Sequence, residues 1–128
     1  MALSPHLGDL EVKVLEYLWE HSQGTAKSVH EQLSDERKIS VNTVQSALER
    51  LYRKNLLSRR KQSHSYIYTA LASKQAVLGQ LINDMLGRFH SDTELNVAAI
   101  VNAAESIDQK ALDILEAEIE RRRSEGNE

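Results

Sequence analysis

The segment Ser40-Val41-Asn42-Thr43-Val44-Gln45-Ser46-Ala47-Leu48-Glu49-Arg50-Leu51-Tyr52-Arg53-Lys54-Asn55-Leu56 decides the fold, together with the two short runs that follow it, Leu57-Ser58-Arg59-Arg60-Lys61 and Tyr66-Ile67-Tyr68-Thr69-Ala70-Leu71. Ser40 is suited to capping a helix, because its hydroxyl accepts from the free amides of a first turn. Val44, Ala47, Leu48, Leu51 and Tyr52 then fall on one face at helical spacing. Asn55 tolerates the left-handed conformation common just past a helix end, and Leu56 supplies the apolar contact that accompanies it. Beyond Leu56 the period shortens from 3.6 to 2, and β-branched and aromatic residues mark a pair of strands joined by the polar stretch Gln62-Ser63-His64-Ser65.

Working back towards the start, Leu7, Leu10, Val14, Leu15, Leu18 and Trp19 recur at three and four, which predicts a first helix ending between His21 and Gly24. Thr25 is placed to cap a second helix with Ala26, Val29, His30 and Leu33 inside, and the polar run from Ser34 to Lys38 reads as a loop. Three helices and a hairpin outline a winged helix-turn-helix. A lone hairpin is marginal in water, so it must pack on the helices, and Leu57, Ile67 and Leu71 are the candidates for that contact.

Working forward, helices are predicted from Ala72 to about Arg88, from Thr93 to Ala104, and from a capping box at Ser106 and Gln109 to Arg123. The expected class is therefore mainly α with a small β wing: residues 1–72 form a winged-helix DNA-binding domain and residues 73–128 a helical dimerisation region. Three short helices have little interior of their own, and no heptad is sustained. An interdigitated homodimer is expected, through Leu81, Met85, Leu95, Ile100, Leu112, Leu115 and Ile119. A monomer whose tail folds back on the first helix is the alternative. Arg121, Arg122 and Arg123 read first as cations complementing a helix C-terminus.

Composition narrows function. The chain has 128 residues, no cysteine and a net charge of −3. Absence of cysteine excludes a disulfide scaffold and thiolate metal sites, and His6, His21, His30, His64 and His90 lack the close pairing of a zinc site, so no metal or cofactor is expected. No nucleophile elbow, phosphate-binding glycine loop or carboxylate pair suggests an enzyme. The longest apolar stretch, Val97 to Ala104, is far short of the ~20 residues of a membrane span. Without a basic start and an apolar run at Met1 to His6, a cytoplasmic protein with no direct membrane binding is expected.

The mean charge conceals strong polarity. Residues 1–36 hold two lysines against seven acids, a charge of −5, and residues 65–128 hold six bases against eleven acids, again −5. Between them, residues 37–64 hold eight bases against Glu49 alone, a charge of +7. Such a run is often only a solvated face, but here it brackets a charge-poor helix surface. In a helix-turn-helix the recognition helix meets base edges while flanking elements hold phosphates. Asn42, Thr43, Gln45, Ser46 and Arg50 are accordingly the candidate base readers, the Asn and Gln amides matching adenine. Arg53, Lys54, Arg59, Arg60, Lys61 and His64 are the candidate phosphate contacts. Docking of the basic face on an acidic protein, without DNA readout, is the competing function.

The run Leu10 to Trp19, the helix Val41 to Leu57 and the Tyr66-Ile67-Tyr68 wing together resemble the penicillinase repressor family of BlaI-, MecI- and CopY-type regulators. The resemblance implies a homodimeric transcriptional repressor on a palindromic double-stranded operator, with the C-terminal helices dimerising. By position, Asn42, Thr43, Gln45, Ser46 and Arg50 fall on the family's operator-contact face. Asn55 replaces a frequent Gly, and Asn42 and Gln45 stand where relatives often carry bases. The copper-responsive branch uses a C-terminal cysteine cluster that this chain lacks. The β-lactam-responsive branch is relieved by a membrane zinc-protease sensor that cuts an Asn-Phe bond in the tail, for which the approximate equivalent here is Ala99-Ile100.

Overall fold

A computed structural model describes residues 7–34 and 38–126. His6 and much of the Ser34–Lys38 loop lie outside them. The order is α1 (Asp9–His21), α2 (Ala26–Leu33), α3 (Val41–Arg53), β1 (Leu57–Gln62), β2 (Ser65–Ala70), α4 (Lys74–Gly87), α5 (Thr93–Ile107) and α6 (Ala111–Gly126). The chain divides into two compact units, Met1–Asp84 and Met85–Glu128.

In the first unit the helix ends are set by the residues that the sequence singles out. Thr25 Oγ1 accepts from the Ser28 amide and Ser28 Oγ accepts from the Thr25 amide, a reciprocal capping box. Ser40 Oγ accepts from the Thr43 amide at 3.1 Å to start α3. After Lys54, Asn55 has a φ of 63°, and the Leu56 amide returns to the Leu51 carbonyl at 3.0 Å, closing the helix in the left-handed manner that Asn accepts. His30 Nε2 lies 2.8 Å from the Ile39 carbonyl, which can only accept, so that nitrogen carries the proton and ties α2 to the chain entering α3.

The core gathers Val14, Leu15 and Leu18 of α1, Val29 and Leu33 of α2, Val44, Ala47, Leu48 and Leu51 of α3, and Leu57 and Tyr68 of the ribbon. Fully burying an aliphatic side chain stabilises by about 1.5–3 kcal/mol, so these three helices and the ribbon root fold as one body. This is a winged helix. The antiparallel ribbon pairs Leu57 with Ala70, Arg59 with Tyr68 and Arg60 with Ile67, turning at Ser63-His64, where Ser63 has a φ of 59°. Leu57 and Ile67 anchor it as expected, but Leu71 is 58% exposed and takes no part beyond its backbone bond to Leu56. Tyr52, read as a core residue, is also exposed, because its ring lies outside α3 over Arg59.

Tyr68 does more than fill space. Its amide and carbonyl pair with Gly24 at 2.8 and 3.0 Å, making a one-residue third strand between α1 and α2. A Cβ on Gly24 would stand 2.7 Å from Tyr17 Cε1 and 3.2 Å from both Ser28 Oγ and Val29 Cγ2, so only glycine allows this approach. α1 is joined to the start of α4 through Trp19 Nε1, which donates to the Ala72 carbonyl at 2.8 Å, and through Lys74 with Glu16.

In the second unit α5 is capped by Asp92 and runs to Ile107, past the Ala104 end expected from sequence. The predicted capping box at Ser106 does not form: Ser106 Oγ donates back to the Asn102 carbonyl within α5, and Asp108 receives the Lys110 amide before α6. A Ser inside a helix satisfies its hydroxyl on the preceding turn, and that removes it from capping duty. Arg121 and Arg122 pair with Glu118 and hold its carboxyl down at about 2, and Arg121 also reaches Glu125. Neither α5 nor α6 buries a residue.

Replacing Gly24 by Ala forces the Tyr17 ring off its stack on His21 and should cost about 1–3 kcal/mol. An unchanged urea midpoint for that variant would show that the Gly24–Tyr68 approach carries no constraint.

Candidate nucleic-acid interface

The outward face of α3 begins with Asn42 and Thr43, both exposed, and continues through Ser46 to Arg50 and Arg53. Gln45, Ser46, Glu49, Arg50 and Arg53 line a shallow concavity along it. Its uncharged portion offers amides and hydroxyls, groups that donate and accept in the pattern base edges require. These groups are not equally free. Thr43 Oγ1 is 2.9 Å from Ser40 Oγ, and Gln45 Nε2 donates to the Tyr68 hydroxyl at 3.0 Å, which fixes the Gln45 side chain against the wing.

Two carboxylates organise the cations. Glu11 on α1 is almost fully buried, and it receives Lys54 Nζ at 2.7 Å and faces Arg50 Nε at 3.5 Å. Lys54 is thereby drawn towards α1, while Arg50 stays half exposed on the outward face of α3. Glu49 on α3 binds Arg59 of β1 and, one turn on, faces Arg53 at 3.6 Å, with Arg53 remaining largely exposed.

The three consecutive bases of the wing separate. Side chains alternate across a ribbon, so Arg59 shares a face with Tyr66 and Tyr68, whereas Arg60 is on the other. Arg59 is only 19% exposed, with its guanidinium 3.9 Å from the Tyr52 ring centroid and 4.1 Å from that of Tyr66. The Tyr68 hydroxyl, with Glu49, raises its pKa further above an already high value. Arg60, Lys61 and the turn residue His64 are exposed. The structure leaves Asn42, Thr43, Ser46, Arg50 and Arg53 exposed on α3 and Arg60, Lys61 and His64 exposed on the ribbon, and it holds Gln45, Lys54 and Arg59 in internal contacts.

Glu11, Glu49, Tyr52, Tyr66 and Tyr68 position this surface and are not among the candidates that the sequence suggests. Glu11 had a signal, since it occupies the apolar stripe of α1 between Leu7 and Val14 and needs a cation there. Among the described residues no group of acids and histidines could hold a metal ion, and no helix is long and apolar enough to cross a membrane.

The sequence profile described as "Penicillinase repressor" matches residues 7–121. The chain belongs to the penicillinase repressor family. Members of this family are transcriptional repressors and not enzymes. The transcriptional regulator BlaI of Mycobacterium tuberculosis is 32% identical over 116 residues, covering 90% of this chain and 83% of the relative. A penicillinase repressor of Bacillus licheniformis is 28% identical over 89 residues, 70% of each chain. The solution structure of the DNA-binding domain of the repressor BlaI matches 58% of this chain and 90% of its own, at 30% identity and a TM-score of 0.51.

The Glu11 clamp is a partly desolvated interaction with two cations, and hydrogen bonds to charged groups contribute about 1.5–3 kcal/mol each. Glu11→Ala should therefore lower the stability of this repressor-family chain by about 1–3 kcal/mol. Chemical denaturation tests this, and a midpoint equal to that of the unaltered protein would contradict it.

Proposed function

We propose that the chain represses transcription as a homodimer, each copy presenting α3 to the major groove of one half of a palindromic operator. The observation that carries this reading is the uncharged stretch of α3, exposed at Asn42, Thr43 and Ser46 and followed on the same helix by Arg50 and Arg53, with Arg60 and Lys61 exposed on the wing. Neutral hydrogen-bonding groups flanked by cations suit base reading between phosphate contacts. Asn42, Thr43, Ser46 and Arg50 supply sequence choice, with Gln45 reading through an amide already held by Tyr68. Arg53, Arg60, Lys61 and His64 supply phosphate contacts, and Lys54 adds charge at the rim.

Dimerisation is supported by the apolar surface of the C-terminal helices. Met85, Leu95, Ile100 and Ile119 are 40–60% exposed, with Leu112 at 39%, Ile107 at 85% and Ile114 at 63%. Helices of this length that bury nothing are marginal in water on their own, and a second copy supplies the missing surface, with Leu81 and Leu115 at its edges. Residues 73–128 are assigned this role, and residues 1–72 the binding of DNA. Two recognition helices related by a two-fold axis match an operator with inverted half-sites.

Release of the operator is assigned to loss of the tail, with a membrane zinc-protease sensor as the partner that the family resemblance suggests. Ala99 and Ile100 are exposed in the middle of α5, so cutting there severs α6 from the rest. Because the bond is helical, local unwinding must precede cleavage.

Two measurements test the reading. On duplex DNA, Arg60→Ala should weaken binding to all sequences alike and reduce the slope of log affinity against log salt by about one, whereas Arg50→Ala should cost about 1–3 kcal/mol on the operator obtained by selection from a random pool and relax its specificity. Salt-insensitive or absent DNA binding by the unaltered chain would favour an acidic protein partner instead. Ending the chain after Ile107 removes α6 whole, and sedimentation should then report a monomer with greatly weakened operator binding. A dimer that survives this truncation would remove α6 from the interface.

A further inference from the structure

The geometry points to Arg59 as a positioning residue that locks the wing to the recognition helix, not as a phosphate contact. This inference rests on the DNA-binding reading above and assigns one of its cations a different task. Arg59 belongs to β1, yet all its partners tie the ribbon to α3 or to itself. Its guanidinium is enclosed between the rings of Tyr52, on α3, and Tyr66, on β2, at 3.9 and 4.1 Å from their centroids. Its edge meets the Glu49 carboxylate of α3 and the hydroxyl of Tyr68 across the ribbon. The same hydroxyl receives Gln45 Nε2 from α3 at 3.0 Å. A planar cation with five donors can stack on two rings and bond at its edge simultaneously, which an ammonium cannot do.

The consequence for binding is geometric. A two-stranded ribbon is mobile unless packed, and beyond Leu57 and Tyr68 its outer half holds Arg60, Lys61 and His64, all exposed. The Tyr52–Arg59–Tyr66 stack is the contact that fixes this outer half relative to α3. The spacing between base-reading groups and wing cations is therefore preset before DNA arrives, and the ordering cost is met in folding instead of binding. Arg59 itself is stacked on two rings, bonded to Glu49 and only 19% exposed, so it offers a phosphate far less than the exposed Arg60 does.

Salt dependence separates the two roles, because a protein that engages one phosphate fewer has a slope of log affinity against log salt that is shallower by about 0.9. With the full-length protein and a random-sequence duplex as probe, Arg59→Ala and the milder, surface-located Tyr66→Leu should bind about threefold to tenfold more weakly with the slope unchanged. Arg60→Ala serves as the contrast whose slope falls. Amide hydrogen exchange in the DNA-free protein should speed up across residues 58–69 in both variants, with α1 to α3 protected as before, and Arg59→Lys should not restore the slow exchange. A slope reduced by about one in Arg59→Ala overturns the positioning role in favour of direct phosphate contact, and wing exchange that is unchanged, or fully rescued by Arg59→Lys, overturns the lock. If the unaltered chain shows no salt-dependent binding to duplex DNA, the DNA-binding reading fails. The positioning role fails with it, while the exchange result still reports whether the stack orders the wing.

Discussion

Everything that could face a ligand in the first unit depends on how β2 is held at Tyr68. The residue is fully buried, its backbone pairs on both sides with Gly24, and its hydroxyl meets Gln45. A ribbon of two strands lacks the cross-strand surface to define its own position in water. Tyr68 resolves this in three directions: the ring is part of the core, the main chain extends the sheet by one bridge towards α2, and the hydroxyl touches the recognition helix. Glycine at 24 is the complementary requirement, since any side chain there would stand where Tyr17 is. The wing is thus an outgrowth of the hydrophobic core and not an appendage to it.

From that anchor outward, packing gives way to charge. The eight bases of residues 37–64 would repel one another if all pointed to solvent, and a compact state with such a patch is destabilised by its own field. Two acids limit the repulsion by engaging particular members. Glu11 takes Lys54 and faces Arg50 from α1, and Glu49 takes Arg59 and faces Arg53. Arg53 at the end of α3 and Arg60 and Lys61 on β1 remain exposed. A patch that is dense in sequence becomes graded in space, with the innermost charges neutralised for structure and the outermost retained.

Much of the fold was legible because its determinants are local. Ser40, Thr25 and Asn55 act through bonds to residues within four positions of themselves, and such signals survive without any knowledge of the tertiary fold. Local patterns mislead where the same side chain has a competing partner, tertiary for Tyr52 and within the helix for Ser106. Tyr52 sits at the edge of the apolar stripe of α3, but an arginine from the next strand offered its ring a better partner than the core did. Ser106 and Gln109 have the spacing of a cap, yet α5 continued through them because Ser106 could bond backwards. The wing arginines differ from one another in their surroundings. Alternation along a strand is sufficient to place Arg59 and Arg60 on opposite faces, a distinction that charge density alone does not carry. Gly24 left no trace, since nothing near it in the sequence announces the strand that will arrive from residue 68.

The exposed apolar side chains of α4, α5 and α6 pose the opposite problem from the wing's. In the wing, side chains of marginal hydrophobicity are held tightly by specific partners. In the C-terminal helices, strongly apolar ones such as Ile107, Ile114 and Leu95 have no cover of their own, and α5 and α6 together bury nothing completely. Internal ion pairs, Arg121 and Arg122 with Glu118, support α6 along its polar side but do not reduce the apolar area presented to water. On the homodimer reading proposed above, the stability of this half is tied to association and its folding free energy depends on protein concentration. On that same reading, removing surface from α5 or α6 lowers the population of paired winged helices without touching any residue of α3. The first unit is held by its own core while α5 and α6 bury no residue, so the proposed affinity for one half-site and the proposed pairing of two rest on separate parts of the chain.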